Sequence, residues 1–281
     1  MSRRPALLVP SMLAFGFAFL YVPILSMIGF SFNASRLVTV WDAQHSPTLK
    51  WYAELLRNRQ IIDAAWLSVK IAVMNATGAT VLGTMAGFAL VRFGRFRGRG
   101  LLATLIAAPL VLPEIITGLS LLLLFVSMEQ LIGFPARRGV LTITLAHISF
   151  SVAYVAIIVQ ARLAGFDESL EEAALDLGAR PFGVFRRITL PLIAPALLSG
   201  WLLSFTLSWD DVVISQFVAG PGSSTLPMVI FSKVRLGVSP DVNALATIMV
   251  SLVATGVVAS SLFLQRREKR RASEMRMAQA G

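Results

Sequence analysis

The sequence predicts an all-α polytopic membrane protein with six transmembrane helices. Three observations carry that prediction. Six apolar runs lie at about residues 6–32, 61–91, 101–128, 140–160, 190–209 and 244–264, and a helix needs about 20 apolar residues to cross the hydrocarbon core. The runs are continuous rather than alternating, which selects helices over barrel strands. Charge is scarce: 14% of the 281 residues are Asp, Glu, Lys or Arg and 56% are hydrophobic, with a mean hydropathy of +0.74, whereas a soluble domain carries about 25% charged residues.

The first run follows Met1-Ser2-Arg3-Arg4. It imitates a secretory signal peptide, but it is too long for an h-region and no small-x-small cleavage site follows, so it reads as an uncleaved span. The loop from Phe32 to Gln60 carries Pro47-Thr48-Leu49-Lys50-Trp51-Tyr52 and has room for a short interfacial helix. On the second run, Ala79, Gly83 and Gly87 form a small-xxx-small row that admits a close helix neighbour. Pro109 and Pro113 are expected to bend or break the third run. Glu114 lies beside Pro113 within that run. A carboxylate at mid-bilayer costs about 2.5–3.5 kcal/mol on insertion scales, so Glu114 should face a cavity or a partner, Lys70 being one candidate. Trp41, Trp51, Trp66 and Trp209 fall near expected outer boundaries, where aromatic belts form. Asp210 and Asp211 close the fifth run, as path carboxylates or as a solvated helix end with a cap.

Lys and Arg fix the orientation. With both termini inside, sixteen lie on the cytoplasmic side: Arg3, Arg4, Arg92, Arg95, Arg97, Arg99, Arg162, Arg180, Arg186, Arg187, Arg266, Arg267, Lys269, Arg270, Arg271 and Arg276. Eight lie outside: Arg36, Lys50, Arg57, Arg59, Arg137, Arg138, Lys233 and Arg235. The net charge of +10 therefore sits in short membrane-flanking clusters, which argues against nucleic-acid binding. The tail from Arg266 to Arg271 suits anionic lipid head groups. Cysteine is absent and the histidines are only His45 and His147, which leaves no disulfide framework and too few ligands for most His-based metal sites.

The longest polar interruption on the cytoplasmic side runs from Asp167 toward Pro195. Asp167 or Ser169 can cap a helix there, and Ser169 to Glu172 has capping-box spacing. Leu170, Ala173, Ala174 and Leu177 fall on one helical face. Gly178 can take the left-handed position that ends the helix, with Pro181 soon after. Such a short amphipathic helix suits a groove on a partner protein.

Glu172-Ala173-Ala174, three residues, Gly178, nine residues, then Ile188-Thr189-Leu190-Pro191 resembles the EAA loop of ABC importer permeases at every spacing. Further along, Ser208-Trp209-Asp210-Asp211-Val212-Val213, Gly220-Pro221-Gly222 with Thr225-Leu226-Pro227, and Val234-Arg235-Leu236-Gly237-Val238-Ser239-Pro240 with Asn243 to Thr247 are similar to the inner-membrane permeases of bacterial spermidine/putrescine importers. The turn Val91 to Gly98 and Pro113 to Ser120 are most like the putrescine-specific branch, which differs from this chain at Trp209, where an aliphatic residue is expected.

The resemblance implies a type I ABC importer permease: one transmembrane domain over 1–281, with a coupling loop at about 165–191, core helices at about 61–264 and a basic tail at 265–281. It implies a second related permease, two copies of an ATPase that binds ATP and Mg, and a periplasmic binding protein that delivers polyamine, with no cofactor in this chain. It carries ATPase coupling onto Glu172, Ala173, Ala174, Gly178, Ile188, Leu190 and Pro191. The residues themselves offer Glu114, Trp209, Asp210 and Asp211 as candidate path groups, since carboxylates can replace ammonium hydration and an aromatic face attracts a cation. Spermidine or another small substrate stays open, as does an ion-coupled secondary transporter. No Walker A pattern and no G-x-S-x-G elbow is present, and His147 and Ser149 at i and i+2 point apart on a helix. The chain is not expected to be an enzyme.

Overall fold

The computed structural model describes residues 5–37, 40–237, 239–256 and 258. Arg3, Arg4, Val238 and the basic tail from Arg266 to Arg276 lie outside the described residues. All regular structure among them is helical. Five helices are long and apolar enough to cross a membrane: α1 (Pro5–Phe30), α3 (Arg59–Arg92), α5 (Glu114–Ile132), α6 (Val140–Ala164) and a rod over Pro181–Trp209. Shorter apolar helices are α4 (Arg99–Val111) and α12 (Pro240–Gly256). The sixth predicted run thus begins four residues earlier than expected, at Pro240, and its end lies outside the described residues.

The described residues fall into two compact units, one reaching Arg59 and resuming at Ser232, the other Gln60–Phe231. In the first, α1 is apolar on every side and its hydrophobic window buries nothing, as suits a helix whose surroundings are lipid or another subunit. The following loop is folded rather than loose. Buried Asn33 donates to the Val40 carbonyl at 2.7 Å and accepts from the Asp42 N–H at 2.9 Å. The expected short helix is α2 (Lys50–Arg57). Trp51 is not part of an aromatic belt: it is buried, with Nε1 donating to the Asn33 carbonyl at 2.6 Å. Lys233 Nζ meets Asp241 Oδ2 at 2.6 Å, linking α11 (Leu226–Leu236) to α12.

In the second unit the small-residue row does what its spacing predicts. A Cβ on Gly83 would stand 2.6 Å from Val155 Cβ, and one on Gly87 would stand 2.8 Å from the Ala156 carbonyl oxygen. Backbones of α3 and α6 therefore approach more closely than any larger residue permits. Ala79, Val155, Val159, Leu163 and Ile193 pack beside that row. A second cluster, including Ile71, Phe125, Ile143, Phe150 and Ile214, joins α3, α5, α6 and α10 (Val213–Val218).

Two prolines reshape the predicted runs. The third run is not one helix: Leu112 and Pro113 are both extended, at ψ 135° and 140°, separating α4 from α5. Proline clashes with a helical residue before it, which forces Leu112 out of the α region. Pro109 is tolerated within α4. The fifth run starts earlier than hydropathy indicates, at α8 (Pro181–Val184), and passes through a π-helical turn (Phe185–Thr189) into α9 (Leu190–Trp209). Pro191 has no N–H for the Arg187 carbonyl, and at that point the Leu190 N–H bonds five residues back, to Phe185. Ile188, Leu190 and Pro191 therefore sit inside the rod rather than in a loop.

Candidate functional site

The loop after α6 builds a helix, α7 (Ser169–Asp176), whose ends are chemically defined. Asp167 Oδ1 accepts the Ser169 N–H at 3.0 Å. The Ser169–Glu172 capping box does not form, because Ser169 is already the first helical residue. Ser169's hydroxyl and N–H hold the Asp167 carboxyl below its ordinary value. At the other end Gly178 has φ +84°. The Gly178 N–H bonds the Leu175 carbonyl at 2.9 Å and the Ala179 N–H bonds the Ala174 carbonyl at 3.0 Å. This pair of bonds is a Schellman turn, which closes the last free carbonyls and places glycine where a positive φ is needed.

The outward side of α7 is uncovered. No residue of the helix is buried; Leu170, Glu172, Ala173, Leu175 and Leu177 are exposed and Ala174 is half-buried. Its other side is tied down by polar contacts. Arg92, the last residue of α3, pairs through Nη1 with Glu168 and lies 3.4 Å through Nη2 from Glu171 Oε2. Glu171 Oε1 accepts from Thr189 Oγ1 in the π turn. Sequence reasoning counted Arg92 only for topology. The available signal was Glu168 and Glu171 three apart, a spacing that makes them neighbours on a helix surface.

At the far end of α9 the four path candidates separate. Asp211 is nearly buried and its carboxylate is fully used: Oδ2 meets His147 Nε2 at 3.1 Å and the Ser215 N–H at 2.7 Å, and Oδ1 meets the Ile214 N–H at 3.2 Å. It caps α10. Burial raises its carboxyl, but the hydrogen bond and charge of His147, with Ser215, outweigh that and bring it below the ordinary value. His147 also meets Ser208 Oγ at 2.7 Å and Ser215 Oγ at 3.1 Å. Asp210 is exposed, and desolvation together with the charge of Asp211 raises its carboxyl. Trp209 ends a stacked row, Trp201–Phe205–Trp209, with ring centroids 5.6 and 6.1 Å apart; the i, i+4 spacing was visible in sequence. Glu114 stands at the first residue of the candidate span Glu114–Ile132, after the break at Leu112 and Pro113. It is exposed, and among the described residues no hydrogen bond or ion pair joins it to Lys70 or to the other three candidates.

Deeper in the bundle, fully buried Asn75 donates to Ser151 Oγ at 3.1 Å and to the Ser204 carbonyl at 2.8 Å. It bridges α3, α6 and α9, a polar tie that no spacing in the sequence announces. Among the described residues no cluster of His, Cys, Asp and Glu could hold a metal.

A bundle of apolar spans that carries an uncovered loop helix at one end defines a class: the membrane-embedded subunit of a transporter. Residues 79–273 match the family described as "Binding-protein-dependent transport system inner membrane component", and the chain belongs to that family. It is 53% identical over 269 residues to the putrescine transport system permease protein PotI of Escherichia coli (strain K12), covering 96% of this chain and 95% of that protein. It is 43% identical over 253 residues to the spermidine/putrescine transport system permease protein PotC of the same organism, covering 90% and 92%. Among solved structures, a bacterial ABC transporter that imports the acidic polysaccharide alginate superposes with a TM-score of 0.69 at 20% identity, over 93% of this chain and 97% of that one. The MetNI methionine ABC transporter gives 0.56 at 16% identity, over 73% and 94%. The fold is that of ABC importer permeases, and the chain is an inner-membrane component with several membrane-spanning helices.

Proposed function

We propose that this chain is the permease subunit of an ATP-driven polyamine importer, with putrescine as its substrate. The observation that carries the reading is the uncovered α7, closed by a Schellman turn at Gly178 and presenting Glu172, Ala173 and Leu177 to a partner. The substrate is supported by the relatives' names, PotI at 53% identity and PotC at 43%; the second relative keeps spermidine as the alternative. In this reading the chain acts as one transmembrane domain with both termini cytoplasmic, and it pairs with a second permease. Two copies of an ATPase bind ATP and Mg and hydrolyse the nucleotide, so this chain is not itself an enzyme. A periplasmic binding protein delivers the polyamine. Glu172, Ala173, Ala174 and Gly178 form the docking helix, and Ile188, Leu190 and Pro191 seat it on the rod.

At the path, Glu114, Trp209 and Asp210 are open to a cation, whereas Asp211 and His147 hold the scaffold behind them. Each ammonium that leaves water needs replacement partners, and an exposed carboxylate beside an aromatic row can supply them. Reconstitution with the partner subunits in proteoliposomes tests the proposal. With ATP on the loop side and binding protein on the other, labelled putrescine should accumulate, and excess spermidine should compete weakly. Accumulation driven by an ion gradient without ATP would replace this reading with a secondary transporter.

A further inference from the structure

We propose that Arg92 is the positioning residue that fastens the loop helix to the bundle, acting through Glu168 and Glu171. The inference rests on reading α7 as the ATPase-facing helix. It begins from a deficit: α7 is eight residues long and buries none of them. An isolated helix of that length is marginal in water, so its position must come from elsewhere. The structure offers polar tethers. The Arg92 side chain is only 9% exposed, with its guanidinium carbon 5.6 Å from the centre of the Phe166 ring. One of its terminal nitrogens donates to Glu168 and the other faces Glu171. Arginine suits this place because its planar fork serves two carboxylates at once and stacks on an aromatic face. As the last residue of α3 it also sits where the helix dipole favours a cation.

Glu171 gives the arrangement its consequence. The side chain is 17% exposed, and its second oxygen accepts from Thr189, a fully buried residue of the π turn. A single carboxylate thus joins α3, α7 and the rod that becomes α9. A displacement of α7 by a partner therefore reaches two spans at once. Glu172, one residue on, is exposed and free for the partner. The helix divides its acids: Glu168 and Glu171 hold, and Glu172 docks. Release of the tether leaves α7 able to dock while moving independently of the spans, so hydrolysis continues but drives less transport.

The test uses the full complex in proteoliposomes and reads putrescine accumulated per ATP hydrolysed, normalised to assembled complex. Arg92→Gln should lower that ratio roughly tenfold, the factor that corresponds to 1.4 kcal/mol. Arg92→Lys should recover part of it, and Arg92→Glu combined with Glu171→Arg should exceed either single change. Should Arg92→Gln fail to assemble, Thr189→Val removes only the hydroxyl bond to Glu171, and a smaller fall in the ratio is expected. A merely structural role predicts less assembled complex with an unchanged ratio in Thr189→Val and Arg92→Lys, and that result would overturn the proposal. A wild-type complex that takes up no putrescine under ATP would instead refute the transport reading itself.

Discussion

Gly178 offers the sharpest perturbation, because its neighbourhood separates strain from bulk. Its φ is +84°, and a Cβ built there meets nothing within 4 Å. Any effect of Gly178→Ala must therefore come from the backbone. Holding a non-glycine residue in the left-handed region costs about 1–2 kcal/mol. Relief of that strain would break the Schellman bonds from Gly178 and Ala179 back to Leu175 and Ala174. A shift of that size changes the population of correctly ended helix by roughly 5- to 30-fold. Gly178→Asn should cost less than Ala, since asparagine tolerates the left-handed region. Gly178→Asp has nearly the same shape as Asn and adds a negative charge at the exposed end of α7, so any further loss reports on docking. The assay is putrescine uptake per assembled complex, alongside ATPase retained on the purified permease. The expected order is Gly, Asn, Ala, with Asp well below Asn. Equal uptake and equal ATPase retention for Ala and Gly would refute the reasoning.

Gly87→Val forces a side chain to within 2.8 Å of the Ala156 carbonyl oxygen; overpacking of this kind costs about 1–3 kcal/mol, read as a lower thermal midpoint of the purified subunit. Asp211→Asn should destabilise by about 1–3 kcal/mol, because it weakens the His147 contact and the cap on α10 together. The sign with pH follows from the lowered Asp211 carboxyl: its contribution is present above the ordinary carboxylate value near 3.9 and is lost only as pH falls through the lower folded value. Wild type should therefore keep its advantage in denaturation curves through mildly acidic pH. Glu114→Gln should slow uptake at subsaturating putrescine while leaving assembly intact, and full uptake would remove Glu114 from the path.

The parts of the fold read correctly from sequence are those that depend on local rules. Apolar run length located the spans, and three small residues at intervals of four marked a face of α3 open to close helix contact, which the structure fills with α6. Glycine followed by proline located the end of α7. The errors came where two local signals met. Hydropathy carried the third run across Leu112–Pro113, although the residue before proline leaves the α region; as a result the helix start at Glu114 went unread. Hydropathy likewise began the fifth span at Leu190, because Arg186 and Arg187 are charged, whereas the helix continues back to Pro181. Which residues the polar ties join was not legible. Arg92 and Glu171 are separated by 79 positions and His147 and Asp211 by 64. Only packing of α3, α6, α7 and α10 brings such residues together. Asp211 looked as available to a cation as Asp210, and its three hydrogen bonds inside the subunit distinguish the two.

The central claim is that α7 faces the cytoplasm and meets an ATPase. The chain has no cysteine, so Glu172→Cys creates a single thiol on the exposed side of that helix. In right-side-out vesicles an impermeant maleimide should fail to label it, and inverted vesicles stripped of the ATPase should label it fully. A short bifunctional thiol reagent should then cross-link it to an ATPase bearing one cysteine in its docking groove, with a yield that changes when ATP binds. Labelling from the periplasmic side, or an active complex with no cross-link in any nucleotide state, would contradict the account.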